Sequence, residues 1–518
     1  MELITNDELT TTTEEINICY NCEKYNRIGQ FCSEKEAQTH ETQTCNLFDL
    51  KAETNLKTKR EIKDEHEISV IRHQIYTLLI ERKRNEATEL IVKEFTNKNI
   101  IKVTRDDNKP EFYIYHKGIY IPEGRTYIEE YCRAVLSNAY NTNLLNEVIS
   151  KIQADYKVGF DDFLNTNYEY ELPVQNGILC LKTLSLKQFT PDKYFFNKLP
   201  IVYDPDAKCP KINKFLTEIT VNNTNLLYEI FGFSLVKKMF LETTFMFVGD
   251  GSNGKSQLLE LFKRFIGVNN TCSVTLQQMK SEDSGLRELH NKMLNLAGDV
   301  DSTALKNTGI FKELSGGDLI QAKRKFKRDI TFQNFAKMIF ACNDLPRVYD
   351  NSKGFWRRWI LINFPYEFID QKQYEVLTVE EKKNKRIKKP RVIENILSET
   401  ELSGLLNESL KGLKNVFFNK SFTYSKNADE VKTVWLRKAD SFMAFCQDHI
   451  VESFGNKILK KDIKSNYLIY RKKHRLRSVS DKAIKRILED EYSVSEVFID
   501  GYSYWEDVDF KLWKKDEM

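Results

Sequence analysis

No apolar run in this 518-residue chain approaches the roughly 20 residues that a membrane-spanning helix requires. The opening Met1-Glu-Leu-Ile-Thr-Asn-Asp7 also lacks the basic-then-apolar pattern of a signal peptide. Membrane transport and secretion are therefore set aside, and no membrane partner is expected. Strong charge of one sign is missing too. The chain has 79 Lys and Arg against 75 Asp and Glu, a net +4, so only the local distribution of charge can point to a partner. Nor is there a disulfide framework. The ten cysteines are scattered through a long Lys- and Glu-rich chain, which fits a reducing interior. With 41% hydrophobic and 30% charged residues the composition is that of a globular protein, too long for one core and expected to divide into about three or four domains.

What is present begins with Gly249-Asp-Gly-Ser-Asn-Gly-Lys-Ser256, which reads G-x-x-x-x-G-K-S. The six residues before it, 243–248, are apolar, β-branched or aromatic, and the ten after it, 257–266, set apolar side chains at helical spacing. Strand, glycine loop, helix is the context that a phosphate-binding loop requires. Gly249, Asp250, Gly251, Ser252, Asn253 and Gly254 would curl so that successive N–H groups and the helix N-terminus face an anion. Lys255 would then reach the β- and γ-phosphates of a nucleotide, and the Ser256 hydroxyl would hold Mg²⁺.

Three further segments fit the same chemistry. Residues 292–301 predict an apolar strand that ends in Asp299 and Asp301. Mg²⁺ takes oxygen ligands and hydrolysis needs a group that orients the attacking water, so Asp299 is assigned to the metal side and Asp301 to the water side, with the reverse order left open. Residues 337–343 predict another buried strand, ending in Asn343, an amide suited to sensing the γ-phosphate or the water. Phe355-Trp-Arg-Arg-Trp-Ile-Leu-Ile362 sets Arg357 and Arg358 at the threshold of a third strand. Either arginine, offered to a neighbouring subunit's nucleotide, would stabilise transition-state charge. Between these strands, five of the six residues 323–328 are basic, with Phe326 among them. Cations around an aromatic suit the phosphates and stacked bases of a nucleic-acid strand, or a solvated basic hairpin.

The ends of the chain are less regular. Cys19-Tyr-Asn-Cys22 is followed by Cys32, His40 and Cys45. The opening C-x₂-C is a knuckle for tetrahedral Zn²⁺, and a segment this polar would need a metal to fold. The wide spacing of Cys32 and Cys45 leaves His40 as an alternative fourth ligand, and free thiols in a mobile arm as the alternative to zinc. Residues 51–97 predict a helical connector, with Ile68, Ile71, Ile75, Leu78, Leu79 and Ile80 on its apolar side. Residues 98–205 mix strands (100–103, 112–115, 119–121, 173–181) with helices (126–139, 143–154), and two helices, 210–220 and 223–238, lead into the phosphate loop. The basic run Lys382 to Arg391 reads as a solvated tether, with a helix following over 399–416. From Lys457 to Arg486, twelve Lys or Arg stand against two Asp. Ser480 can cap a helix over 481–489 that turns Ile484, Ile487 and Leu488 inward and Lys482, Lys485 and Arg486 outward. A hairpin around Asp500-Gly501 follows. Helices, a basic helix and then a hairpin is the order of a winged helix-turn-helix that lays its basic helix in a DNA groove.

The ordered set of phosphate loop, Asp-x-Asp strand end, Gly316-Gly-Asp318 with basic hairpin, Asn343-Asp-Leu-Pro346 and Trp356-Arg-Arg358 resembles the superfamily 3 helicases of viruses and plasmids. It is most similar to the phage and plasmid primase-helicase family, including its poxvirus-type members, over roughly residues 100–518. The resemblance implies an α/β fold: an AAA+-like P-loop ATPase core at 206–370, preceded by an α+β module at 98–205. Around these lie the zinc knuckle at 1–50, the helical connector at 51–97, a basic loop and helical linker at 371–428, and a winged helix at 429–518. By position it implies that Lys255 and Ser256 bind ATP and Mg²⁺, that Asp299 and Asp301 form the second acidic motif, and that Asn343 is the sensor. Arg357 or Arg358 becomes the trans-acting finger, and Lys323, Arg324, Lys325 and Lys327 the DNA-contacting loop of a central channel. Relatives often carry Glu in the second acidic motif, where this chain has Asp. A ring, usually a hexamer, translocating 3′ to 5′ on single-stranded DNA is implied, inside a host cytoplasm or nucleoid. The first 100 residues are too short for a primase domain, so a separate primase or polymerase is the expected partner. A nucleotide-switched DNA-binding regulator and a DNA-packaging ATPase are the alternative functions.

Overall fold

A computed structural model describes residues 25–26, 31–32, 37–38 and 59–511, with the exception of 107, 167, 222, 281–284, 299, 301–304, 306–307, 326, 349, 475 and 477. The chain condenses into two units, one running to Lys102 and including Glu123–Lys157, the other holding Val103–Pro122 and Val158 onward.

In the first unit, helices α1 (Lys59–Ile80), α2 (Arg84–Lys98), α3 (Gly124–Leu136) and α4 (Thr142–Asp155) pack on one another. Each contributes a stripe at four-residue spacing: Ile71 and Ile75, Ile91 and Phe95, Ile128 and Cys132, Val148 and Ile152 are all buried. The last carbonyls of α3 have no partner within the helix. Arg72 donates to the Ala134 carbonyl at 2.7 Å and Tyr76 to that of Leu136 at 2.8 Å. The helices expected at 126–139 and 143–154 are thus present, and they pack with the 59–98 helices.

The second unit opens with two antiparallel hairpins, β1 (Phe112–His116) with β2 (Ile119–Ile121), and β3 (Glu171–Val174) with β4 (Gly177–Cys180). Helices α5 (Pro210–Ile219) and α6 (Thr224–Phe233) follow. The centre is a five-stranded, wholly parallel sheet built from β5 (Thr244–Val248), β6 (Thr271–Cys272), β7 (Leu294–Ala297), β10 (Lys337–Cys342) and β11 (Trp359–Asn363), in the order β6-β7-β10-β5-β11. Helix α7 (Lys255–Ile266) follows β5, and α8 (Gly309–Gly316) with the hairpin β8 (Leu319–Ala322) and β9 (Ile330–Gln333) comes between β7 and β10. Every residue of β5, β7 and β10 is buried, as expected for parallel strands covered on both faces. The first strand in sequence sits between the last two, so the strand order reverses beside β5. That reversal opens a crevice at the carboxyl ends of the strands.

One buried charge in this core is satisfied from within it. Lys337, fully buried at the start of β10, donates to the carbonyls of Val236, Lys238 and Phe335 at 2.7, 2.8 and 2.9 Å. Helix α9 (Glu399–Asn419) lies so close to α6 that a Cβ on Gly232 would stand 2.2 Å from the Ser409 carbonyl. Beyond β11 come the short parallel pair β12 (Glu367–Ile369) and β13 (Lys385–Ile387), and helix α10 (Ala428–Ala439).

A smaller core closes the chain. Its elements run α11 (Ser441–His449), β14 (Ile450–Leu459), α12 (Lys460–Lys473), α13 (Asp481–Tyr492), β15 (Ser495–Ile499) and β16 (Tyr502–Phe510), with the sheet ordered β14-β16-β15. Phe442, Phe445, Tyr467, Leu488 and Trp505 fill it. Ser480 caps α13 by accepting from the Ala483 N–H at 3.3 Å. The β15–β16 turn carries positive φ at both Asp500 (50°) and Gly501 (84°), the requirement of a tight hairpin turn. Strand β14 was not anticipated, because Gly455 and Asn456 interrupt its pattern. Its register shifts between Glu452 and Lys457, and Phe454 lies out in solvent.

Candidate functional site

The crevice beside β5 is where the G-x-x-x-x-G-K-S segment lies. Gly249 leaves the strand under tight restriction: a Cβ there would meet the Asn253 Nδ2 at 2.2 Å and the Phe364 carbonyl at 2.7 Å. Gly254 takes φ +87° directly before α7, a conformation that L side chains rarely adopt, and any Cβ would press on Ile219 at 2.7 Å. The loop therefore closes against its surroundings and delivers the first amides of α7 to the crevice. Lys255 opens that helix with its ammonium folded back, donating to the Gly249 carbonyl and, at 3.1 Å, to the Asn343 Oδ1. Buried Asn253 holds an Nδ2 with no hydrogen-bond partner among the described residues. An ammonium, a helix N-terminus and an unpaired amide donor around one loop are the donor set that a polyphosphate needs.

A cavity of about 390 Å³ extends from this loop. Lys255, Ser256 and Asn343 border it, and Phe215, Ile219, Phe368, Pro390 and Val392 supply apolar wall. The wall is brought there by the chain after β11. The Phe368 N–H donates to the Ser252 carbonyl at 2.6 Å, β12 pairs with β13, and the chain then runs along the cavity. The basic run expected to be a solvated tether thus has its second half, Lys388, Lys389 and Arg391, beside the phosphate loop. Lys389 pairs with Glu218 of α5 at 2.7 Å.

Of the remaining predicted residues, Asp299 and Asp301 lie outside the described residues. The preceding strand β7 lies next to β10, and the Val300 N–H donates to the Ala341 carbonyl at 2.9 Å. Arg357 and Arg358 part company. Arg358 is 8% exposed, with its guanidinium donating to the Ser315 Oγ at 3.0 Å and to the Gly354 carbonyl, and pairing with Glu242 at 2.6 Å. Burial lowers its pKa and Glu242 opposes the shift. Arg357 is exposed and pairs with the same oxygen, Oε2, of the Glu242 carboxylate.

The basic hairpin tip between β8 and β9 is held from within the same unit. Arg324 and Lys327 converge on Glu111 at 2.9 and 2.8 Å, and the Arg328 guanidinium stands 4.5 Å from the centre of the Phe160 ring. Lys323 and Lys325 are exposed at the tip. Beside the hairpin, burial with help from Arg324 lowers the His290 pKa to about 4, while Glu111 opposes. On α13, Lys482, Lys485 and Arg486 are exposed, and Ile484 and Leu488 are buried. Lys485 pairs with Glu496 at 3.3 Å and Arg486 with Asp490 at 3.0 Å, and Lys482 and Arg486 border a cavity shared with Arg347 and Asp440. Cys19, Cys22 and Cys45 lie outside the described residues, and Cys32 is placed only as part of a two-residue strand, Phe31–Cys32. Among the described residues no cluster of three or more His, Cys, Asp or Glu could hold a metal ion, and no helix is long and apolar enough to cross a membrane.

Sequence reasoning missed the apolar wall of the cavity, because Ile219, Phe368 and Val392 look like ordinary core residues in a linear chain. It also passed over Lys438, whose Nζ reaches the Asn363 side chain at the end of β11.

Comparison with known proteins bears on residues on both sides of the phosphate loop. Residues 74–221 match the family described as D5 N terminal like, and residues 247–358 match a family of unknown function, DUF5906. A putative helicase, L207/L206, of Acanthamoeba polyphaga mimivirus is 26% identical over 393 residues, covering 71% of this chain and 39% of that protein. Putative helicase 121R of Invertebrate iridescent virus 3 is 22% identical over 258 residues, 44% of this chain and 26% of that protein. The chain thus spans well under half the length of these relatives. Among solved structures, the apo C-terminal region of NrS-1 shows a loose likeness, with a TM-score of 0.38 and 16% identity over 80% of this chain and 98% of that one. The D5 N terminal like match and the viral relatives together make this chain similar to viral putative helicases.

Proposed function

We propose that this chain is an ATP-driven DNA helicase of viral or plasmid replication, with an AAA+-like P-loop core and a C-terminal winged helix. One observation carries the reading: Lys255, on the helix that follows the reversal strand, is hydrogen-bonded to Asn343 at the end of the neighbouring strand. Phosphate binding and γ-phosphate sensing then meet at one point of a parallel sheet. Counted by position in the sequence, the strands of that sheet run 2-3-4-1-5, which supports the AAA+-like assignment.

The residues divide the work. The loop amides, Asn253 and Lys255 bind the phosphates, and the apolar wall from Ile219 to Val392 takes the base. Ser256 and Asp299 would hold Mg²⁺, which neutralises phosphate charge. Asp301 orients the attacking water, and Asn343 holds it or the γ-phosphate. Arg357, rather than the internally satisfied Arg358, is the arginine free to enter a neighbouring subunit's site, which requires a ring, on this reading a hexamer. Lys323, Lys325 and Lys327 contact a single DNA strand, with translocation 3′ to 5′. Lys482, Lys485 and Arg486 approach duplex DNA.

The test is strand separation on forks of opposite polarity, with ATP and Mg²⁺. Unwinding on the 3′-tailed fork, lost in Lys255→Ala while duplex binding persists, is the expected result. Lost duplex binding in that variant would contradict the division of labour, and a wild-type protein that binds ATP and DNA yet never separates strands would favour a nucleotide-switched regulator.

A further inference from the structure

Three neighbouring strands end level with one another. Val248 of β5 pairs with Cys342 of β10 on one side and with Asn363 of β11 on the other. The phosphate loop therefore leaves the sheet between two asparagines, Asn343 just past β10 and Asn363 at the end of β11. Each carries a lysine. Lys255 donates to the Asn343 Oδ1 at 3.1 Å, and Lys438 donates to the Asn363 Oδ1 at 2.7 Å.

Lys438 comes from the last turn of α10, and the helix holds it firmly. Asn427 caps the helix N-terminus, and Trp435 is fully buried among Phe355, Trp356 and Trp359, with its indole N–H donating to the Pro346 carbonyl at 2.8 Å. Two residues after Lys438, Asp440 caps α11 and pairs with Arg347 at 2.7 Å. The ammonium opens onto a cavity of about 860 Å³ bordered by Val248, Asp250, Asn343 and Asp344 of the loop side. The flanking cations there have carboxylates of their own, Arg437 on Asp448 and Arg347 on Asp440. Lys438 instead rests on a neutral amide. Surrounding protein lowers its pKa, and Asp250 of the phosphate loop opposes that shift. A cation held by a neutral acceptor beside the loop is poised for a stronger anionic partner.

We propose that Lys438 is a second cation, supplied by the same chain, that leaves Asn363 to contact the terminal phosphate of bound ATP. It would thereby report ATP or ADP to α10 and to the C-terminal core that α10 leads into. The inference rests on the nucleotide reading of the phosphate loop.

The experiment uses the full chain and measures equilibrium binding of ATPγS and of ADP, each with Mg²⁺. A charge-assisted contact made only with the terminal phosphate predicts that Lys438→Met weakens ATPγS about tenfold or more and leaves ADP within about twofold. Lys438→Arg should restore most of the loss. Asn363→Ala, which frees the ammonium, should not weaken ATPγS. Equal loss for both nucleotides, or none for either, overturns the proposal, and Lys438→Gln repeats the measurement if the Met variant loses its thermal transition. A wild-type chain that binds neither nucleotide defeats the phosphate-loop reading itself, and this inference with it.

Discussion

Replacing Arg357 and Arg358 separately should produce two different failures. Arg358→Ala removes a guanidinium that is 8% exposed, and it strips partners from Glu242, Ser315 and the Gly354 carbonyl. Breaking a buried pair from one side costs roughly 3–5 kcal/mol. The Glu242 side chain is 39% exposed and can rehydrate, so a loss of about 3 kcal/mol or slightly less is expected. In a unit of this size that corresponds to a fall in Tm of about 3–4 °C. The Arg357 side chain is 56% exposed and its pair with Glu242 is a surface one, worth roughly 0.2–1 kcal/mol, so Arg357→Ala should leave Tm almost unchanged. Its cost should appear in turnover, where a finger arginine contributes about 10³–10⁵ in kcat. Calorimetry and DNA-stimulated ATP hydrolysis read the two effects separately. Mixing supplies the decisive arm. Arg357→Ala and Lys255→Ala subunits, each inactive alone, should recover part of the activity when co-assembled, because some boundaries then pair an intact phosphate loop with an intact arginine. Near-normal turnover by Arg357→Ala alone, or a mixture that stays inactive, would refute the reasoning.

Three other outcomes are expected. Glu111→Gln releases Arg324 and Lys327 from their shared carboxylate, and single-stranded DNA binding measured by anisotropy should tighten severalfold at low salt, with a steeper salt dependence. Unchanged affinity would mean the hairpin cations do not reach the strand. Ile219→Asp places a carboxylate in the apolar wall of the 390 Å³ cavity and should raise the KM for ATP about tenfold or more, with kcat less affected; an equal loss in kcat would move that wall away from the base. His290 titrates near 4 when folded and near 6.5 when unfolded, so the unfolded chain takes up the proton first as pH falls. Stability should therefore decline from about pH 6.5 toward pH 4, by roughly 2–3 kcal/mol from this one group, and His290→Phe should flatten that part of the pH–Tm curve.

The sequence by itself determined the local elements and the chemistry at strand ends. The β5–loop–α7 unit, the buried strands β7, β10 and β11, the β1–β2, β8–β9 and β15–β16 hairpins and the capped α13 all appear within a few residues of where periodicity and turn residues place them, whereas the stretch 173–181 folds back on itself as the β3–β4 hairpin. Apolar spacing, capping side chains and positive-φ turns act over a few residues, so they are readable in one dimension. Only the tertiary structure decided which distant segments share a surface. It drew 124–155 onto 59–98, carried the 388–392 run back to the phosphate loop, set Glu111 under the hairpin cations, and separated two adjacent arginines into one exposed and one buried. Those outcomes depend on how sheet order and helix packing bring remote surfaces together to exclude water, and a linear pattern of apolar residues does not encode which partner each surface will meet.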